Sequence, residues 1–144
     1  MKVEFYEHWY DVLNNFSARA VEIDGLVYPT SEHAYQAAKC TNEAGRDEIR
    51  HARSPLLAKT LSNEKYALEK RKDWEGVKLE VMESILREKM QQHEEVRNAL
   101  IRSGDQVIAE ASPQDSFWGT GMGGDGQNQL GKIWMKLRAE ITTN

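Results

Sequence analysis

The segment YPTSEHAYQAAK, residues 28–39, concentrates side chains that can transfer protons, stack on rings or bind anions. Glu32, Tyr35, Gln36 and Lys39 are spaced i, i+3, i+4 and i+7, so they form one row if the segment is a helix. This polar row offers a carboxylate as base, a phenol as stacking wall, an amide as orienting group and an ammonium as anion clamp. The alternative is a solvated stripe in which Glu32 only complements the helix dipole.

A glycine-rich segment, DSFWGTGMGGDG at residues 115–126, is the second candidate region. Gly119, Gly121 and Gly124 have the spacing of a dinucleotide-binding motif, but the chain after them reads as one helix and lacks the strand ending in an acid that the motif requires. The pattern does predict a loop with unencumbered backbone N–H groups before a helix N-terminus. Such N–H groups and the positive end of the helix dipole can bind a phosphate group. A flexible surface loop is the alternative.

Further candidates lie beside this loop and in the basic segment at residues 65–78. Asp115 could act as an acid or accept a hydrogen bond from a sugar hydroxyl, and Trp118 could stack on a base, although Trp118 alone also fits a core position. Arg71 lies three residues before the predicted core residue Trp74, so its position is expected to be fixed. Its guanidinium could then bind a phosphate through two N–H groups. Otherwise a charge run of this kind is a solvated face.

The surrounding pattern predicts the elements that must position these residues. Asp24-Gly25 indicates a two-residue hairpin turn, Thr30 can cap the helix of the polar row, and Ser54-Pro55 reads as the start of another helix. A long core helix follows Asp73, a short strand is expected at residues 106–111, and a last helix begins at about Asn128. These elements predict a mainly α protein, of the α+β type, with a small hairpin or sheet.

Composition limits the remaining choices. A chain of 144 residues without a linker-like segment is expected to form one domain, residues 1–144. Cys40 is the only cysteine and neither a signal peptide nor a membrane span is visible, so a disulfide-free cytoplasmic protein is expected, with no cofactor, metal or membrane partner. The formal net charge of -4 gives no general attraction to nucleic acid.

The candidate segments together resemble the YbiA-like family, also called NADAR. The resemblance is carried by T-x-E-H-x-x-Q-A-x-K from Thr30, R-x-D-W from Arg71, D-x-x-W-G-x-G from Asp115 and N-x-L-G from Asn128, and it covers residues 4–141. Departures from the family pattern, including Asn15 in NNFS, fall on packing positions and not on the polar candidates.

The resemblance implies a mostly helical N-glycosidase that breaks the bond between ribose and a base-like amine. Its expected substrates are the phosphoribosylamino-pyrimidine intermediates of riboflavin biosynthesis, which would yield ribose 5-phosphate and the free pyrimidine. Glu32 and Asp115 are then candidates for stabilising the oxocarbenium charge and activating water, and Lys39 could instead form a Schiff base. The expected substrate contacts are Tyr35, Gln36, Arg71, Trp118, Gly119, Gly121 and Trp9.

Two other functions stay open at this stage. One is removal of ADP-ribose from guanine in nucleic acid, and the other is a non-catalytic module that binds ADP-ribose or NAD. The presence of Glu32, Lys39 and Asp115 together favours an enzyme, and the acidic net charge favours a small substrate over a nucleic acid.

Overall fold

A computed structural model of the chain describes residues 2–4 and 10–142. Within these ranges there are six α-helices and four short strands, so the predicted fold class, mainly α with a small β component, is confirmed. The helices are α1 Ser31–Lys39, α2 Glu43–Arg50, α3 Pro55–Thr60, α4 Trp74–Gln92, α5 Glu94–Arg102 and α6 Gln129–Thr142, and the strands are β1 Lys2–Glu4, β2 Val21–Ile23, β3 Leu26–Tyr28 and β4 Val107–Ala109.

The strands form two separate pairs. β2 and β3 are antiparallel, and the turn between them has Asp24 at φ 52° and Gly25 at φ 81°, the two positive values that a type I′ hairpin requires. The predicted hairpin is therefore confirmed. β1 and β4 are parallel, with Lys2 opposite Val107, a pairing that no local pattern in the sequence predicts.

Two predicted helix starts are formed by the expected caps. The Thr30 hydroxyl accepts a hydrogen bond from the His33 N–H at 3.2 Å, and the Ser54 hydroxyl accepts one from the Leu57 N–H at 3.0 Å. Helix α2 was not predicted from the sequence. It is capped in the same way by Asn42, because the Asn42 side-chain oxygen accepts a hydrogen bond from the Gly45 N–H at 2.9 Å.

Contacts divide the chain into two units, one of Asn15–Gln92 and the other of Met1–Asn14 with His93–Asn144. In the Asn15–Gln92 unit the alanine side of α1 packs against α2 and α3. Of the apolar residues whose helical spacing predicts the core side of α4, Trp74, Met82, Ile85, Leu86 and Met90 are buried, whereas Val77 and Val81 are half-buried. The single domain predicted from the sequence stays a prediction.

None of the described helices combines the length and apolar character that a membrane crossing needs.

The other unit is organised by α6 and β4. Asn128 brackets β4, because its amide donates to the Ile108 carbonyl and its side-chain oxygen accepts from the Glu110 N–H, both at 2.9 Å. Gly131 then lies so close to β4 that an added Cβ would overlap the Ile108 carbonyl oxygen. On the same helix, the Trp134 indole donates to the Leu13 carbonyl at 3.0 Å. The N-x-L-G motif is therefore explained by packing.

A pair of glycine substitutions tests this close approach. Gly131→Ala should lower the free energy of unfolding by roughly 2–3 kcal/mol, because the new methyl group overpacks against backbone that cannot move freely. Gly76→Ala, in α4 where a Cβ would meet nothing, should instead raise it by roughly 0.5–1 kcal/mol. Urea unfolding of both variants measures the difference, and equal shifts would contradict the packing explanation.

Candidate functional site

The predicted site residues fall in both units of the chain. The Asn15–Gln92 unit contains the polar row of α1 and Arg71, whereas Asp115, Trp118, Gly119 and Gly121 belong to the other unit. Trp9 lies outside the described residues.

The polar row of α1 is buried. Glu32 is 8% exposed, Tyr35 7% and Gln36 4%, while Lys39 at the end of the helix is half-buried. These values exclude the solvated stripe, because a stripe of that kind would leave its polar groups in water. A buried carboxylate and amide need specific partners, since an uncompensated buried polar group is costly.

The beginning of the row is held by the segment that precedes β2. The Asn15 carbonyl accepts a hydrogen bond from the Glu32 N–H at 3.1 Å, and the Asn15 side-chain oxygen accepts one from the Ser31 hydroxyl at 2.8 Å. Together with the Thr30 cap, these contacts fix the first turn of α1. The backbone of Glu32 is therefore positioned before any ligand is present.

Glu32 and Gln36 form a buried pair one helical turn apart. The Gln36 amide nitrogen donates to Glu32 Oε2 at 2.7 Å, which also fixes which end of the amide is nitrogen. Among the described residues no donor reaches Gln36 Oε1, although this atom is buried. The pair thus combines an oriented carboxylate with a buried acceptor that suits a hydroxyl or N–H group of a ligand.

The remaining row residues are bounded by aromatic and basic groups. The rings of Tyr35 and Trp74 are tilted by 54° with centroids 5.0 Å apart, so Tyr35 forms a wall that is part of the core. Burial is the main cause that lowers the pKa of the Lys39 amine, and the nearby positive charge of Lys70 lowers it further. Both effects increase the fraction of neutral amine at a given pH.

Arg71 is brought next to the end of α1 through its backbone, because its N–H donates to the Lys39 carbonyl at 2.9 Å. Its side chain is already paired: Nε and Nη2 each donate to the Asp73 carboxylate at 2.9 Å. This bidentate contact orients the guanidinium, which has five N–H donors, so any phosphate would bind the donors that Asp73 does not use.

In the other unit, Asp115 is oriented by its own loop. Its Oδ1 accepts hydrogen bonds from the N–H groups of Phe117 at 3.0 Å and Trp118 at 2.8 Å. Trp118 is half-buried, and its ring meets the edge of Phe117 with centroids 4.9 Å apart. The structure thus fixes the Asp115 carboxylate, while the catalytic role of Asp115 and the stacking role of Trp118 stay predictions.

Several backbone N–H groups in the glycine loop and at the start of α6 already have carbonyl partners. The Gly121 N–H donates to the Ser112 carbonyl at 3.2 Å, and the Gln129 and Leu130 N–H groups at the start of α6 donate to carbonyls of residues 117 and 118 at 3.0 Å. Gly119 is required for packing, because a Cβ there would lie 2.7 Å from the Glu110 carbonyl oxygen. These amides are therefore paired within the protein, and substrate contacts of Gly119 and Gly121 stay predictions.

Two surface pockets in the Asn15–Gln92 unit lie elsewhere. One, of about 350 Å³, is lined by the alanine side of α1 and by Val81, Ser84 and Ile85 of α4, and the other, of about 560 Å³, lies between α2 and the hairpin. Neither is lined by Glu32, Gln36 or Lys39, so the chemistry of the row does not extend into them. Within the described part of the chain no group of three His, Cys, Asp or Glu side chains is arranged to hold a metal ion.

Sequence analysis missed two buried charged residues. Lys89 is fully buried and donates to the Ser17 hydroxyl at 3.1 Å, and Glu110 is 8% exposed. Lys89 could have been found, because it follows Met82 and Ile85 at helical spacing and so falls on the core side of α4. Nothing in the sequence distinguishes Glu110 from an exposed residue at the end of a strand.

Comparison with known proteins identifies the relatives of this fold. The NADAR domain model matches residues 3–142. The chain is 39% identical to the N-glycosidase YbiA of Escherichia coli (strain K12), with 92% of this chain and 82% of that protein covered. It is 36% identical to a riboflavin biosynthesis protein of Vibrio vulnificus (strain YJ016), with 96% of this chain but 38% of that protein covered.

The solved NMR structure of E. coli YbiA superposes with a TM-score of 0.88 at 36% identity, covering 99% of this chain and 88% of that one. These matches define a class of protein with a YbiA-like fold. The chain belongs to the NADAR family, and the resemblance seen in its motifs is confirmed.

His33, between the row residues, is structural. Its Nε2 donates to the Ala52 carbonyl at 2.9 Å and its Nδ1 lies 2.8 Å from the Thr30 hydroxyl, and burial lowers its pKa below the ordinary value of 6.5. The unfolded chain therefore binds a proton first as the pH falls, so the free energy of unfolding should decrease below about pH 6.5. His33→Gln should reduce this pH dependence in melting experiments between pH 7 and 5, and unchanged slopes would contradict the assignment.

Proposed function

We propose that this chain is an N-glycosidase that hydrolyses the C1–N bond of a phosphoribosylamino-pyrimidine and releases ribose 5-phosphate and the free pyrimidine. The observation that carries the proposal is the buried Glu32–Gln36 pair, with a carboxylate held at 2.7 Å and a buried amide oxygen without a donor among the described residues. The names of the relatives, N-glycosidase and riboflavin biosynthesis protein, support the same enzyme class and the same kind of substrate.

Cleavage of the bond places positive charge on C1 and its ring oxygen, and a fixed carboxylate stabilises that charge more effectively than mobile water does. Gln36 holds one oxygen of Glu32, so the carboxylate need not reorganise during the reaction. The acceptor atom of Gln36 suits a ribose hydroxyl. In this direct route water attacks C1, and the pyrimidine amine leaves with a proton. Asp115 stays a candidate acid from the sequence alone.

Lys39 allows a second route through an imine. Its amine would bond to C1 of the ring-opened sugar while the pyrimidine amine leaves, and water would then hydrolyse the imine and regenerate the amine. The lowered pKa of Lys39 favours this route, because only the neutral amine is a nucleophile. The phosphate is assigned to the guanidinium donors of Arg71 that Asp73 does not use.

Two alternatives remain from the sequence. Hydrolysis of ADP-ribose from guanine in nucleic acid requires contacts to a polyanion, which the net charge of -4 does not favour. A module that binds ADP-ribose or NAD without turnover would have little use for an oriented carboxylate beside an amine of lowered pKa.

A cytoplasmic location, expected from the single cysteine, also stays a prediction.

A product assay decides among these functions. The purified chain is offered phosphoribosylamino-pyrimidines, ADP-ribose and DNA carrying ADP-ribosylated guanine, and the released base is quantified. We expect release from the pyrimidine substrates with a shallow dependence on salt, since few phosphates are contacted. Turnover only of the DNA, with a steep loss at higher salt, would replace the proposal, and consumption of none would leave the binding module.

Glu32→Gln tests the role of the carboxylate. Turnover should fall by on the order of 10² to 10⁴, while substrate affinity and the melting temperature change little, because the shape of the side chain and its position in α1 are kept. The matched control is Glu80→Gln, an exposed position in α4, which should retain wild-type turnover. A Glu32→Gln enzyme with more than about a tenth of wild-type turnover would contradict a catalytic role.

A further inference from the structure

Lys39 has a hydrogen-bond partner that no motif in the sequence indicates. Its Nζ donates to the side-chain oxygen of Asn63 at 2.6 Å, at the short end of the range for such contacts. Asn63 is separated from α1 in sequence by α2 and α3 and belongs to none of the family motifs described above. The contact therefore depends on how the segment after α3 is folded.

That segment is a π-helical turn, Leu61–Lys65, which follows α3 without a break. Its characteristic wide bond runs from the Tyr66 N–H to the Leu61 carbonyl at 2.9 Å. Turns of this kind are rare and occur often at functional sites, because the wider ring changes the direction of the side chains it carries. Here the turn presents Asn63 to the end of α1.

The π turn is anchored on both sides of Asn63. Ser62 is 3% exposed, and at the far end Lys65 Nζ donates to Glu48 of α2 at 2.8 Å while the Tyr66 hydroxyl donates to the same carboxylate. Because its neighbours are fixed, Asn63 holds a defined position although its own side chain is exposed.

The chemical type of Asn63 matters because Lys39 lies among charges of both signs. Burial and the positive charges of Lys70 and Lys78 lower the pKa of Lys39, whereas Glu32 and Glu75 act in the opposite direction. An amide oxygen accepts a hydrogen bond from either protonation state of the amine. A carboxylate at the same place would favour the ammonium and oppose the lowered pKa.

We propose that Asn63 is a positioning residue for the reaction: its side-chain oxygen holds the amino group of Lys39 at the polar row without adding a charge. This role rests on the proposed function, in which Lys39 takes part in cleavage of the N-glycosyl bond. Asn63 acts through Lys39 and needs no contact with the substrate.

The test uses Asn63→Ala, Asn63→Asp and, as matched control, Asn98→Asp at an exposed position of α5. The apparent pKa of Lys39 is measured from its acylation rate against pH by peptide mass spectrometry, and turnover is measured against pH on the pyrimidine substrates. Asn63→Asp should raise the apparent pKa of Lys39 and move the limb of the pH–rate profile that belongs to Lys39 to higher pH. Asn98→Asp should change neither.

Asn63→Ala should lower turnover by on the order of tenfold or more with a nearly unchanged melting temperature, because a catalytic group displaced by about 1 Å can lose on the order of 10²-fold in rate. Asn63→Gln, which keeps the carbonyl, should recover part of the loss.

The proposal would be overturned if Asn63→Asp changed neither the acylation profile of Lys39 nor the pH–rate profile. An Asn63→Ala variant with wild-type turnover would also overturn it. If the wild-type chain releases base from none of the substrates, the proposed function fails, and a shift of the Lys39 acylation profile in Asn63→Asp alone then decides whether the contact stands.

Discussion

Helix α1 is buried along both of its sides, and this constraint determines what the rest of its unit must supply. The alanine side needs close neighbours, which α2 and α3 provide, whereas the side with Glu32 and Gln36 needs hydrogen-bond partners, because buried polar groups are stable only when they are satisfied. Asn15 and Thr30 accept hydrogen bonds from backbone N–H groups of the first turn, and the Gln36 amide donates to Glu32. Gln36 Oε1, which no donor among the described residues reaches, is consequently the exception in α1.

Local signals made much of the fold predictable. The hairpin at Asp24-Gly25 and the caps at Thr30 and Ser54 depend on the conformation of a few consecutive residues, so their sequence signatures were sufficient. The parallel pairing of β1 with β4 depends on residues far apart in the chain, and nothing in either strand specifies the other. α2 was missed because its sequence, EAGRDEIR, is mostly polar and buries little beyond Ile49.

The candidate site was predictable to a similar extent. Helical spacing placed Glu32, Gln36 and Lys39 in one row, but their burial depends on Asn15 and other residues that approach from outside the helix. The hydrogen bonds of the glycine loop were not predictable, because composition shows where N–H groups are unhindered and not which carbonyls they meet. Asn63 could not be found, since a π turn has no sequence signature comparable to a cap or a hairpin.

The pairing of β1 with β4 also bears on how the chain acquires its structure during synthesis. The continuous unit, Asn15–Gln92, is synthesised before Val107–Ala109, whereas Lys2–Glu4 precedes this unit in the chain and can pair only after β4 has been made. Closing such a long loop has an entropic cost and slows folding, so we expect the unit with α1 to form first and the discontinuous unit to form afterwards. β1 therefore stays unpaired until the whole segment between it and β4 has been translated.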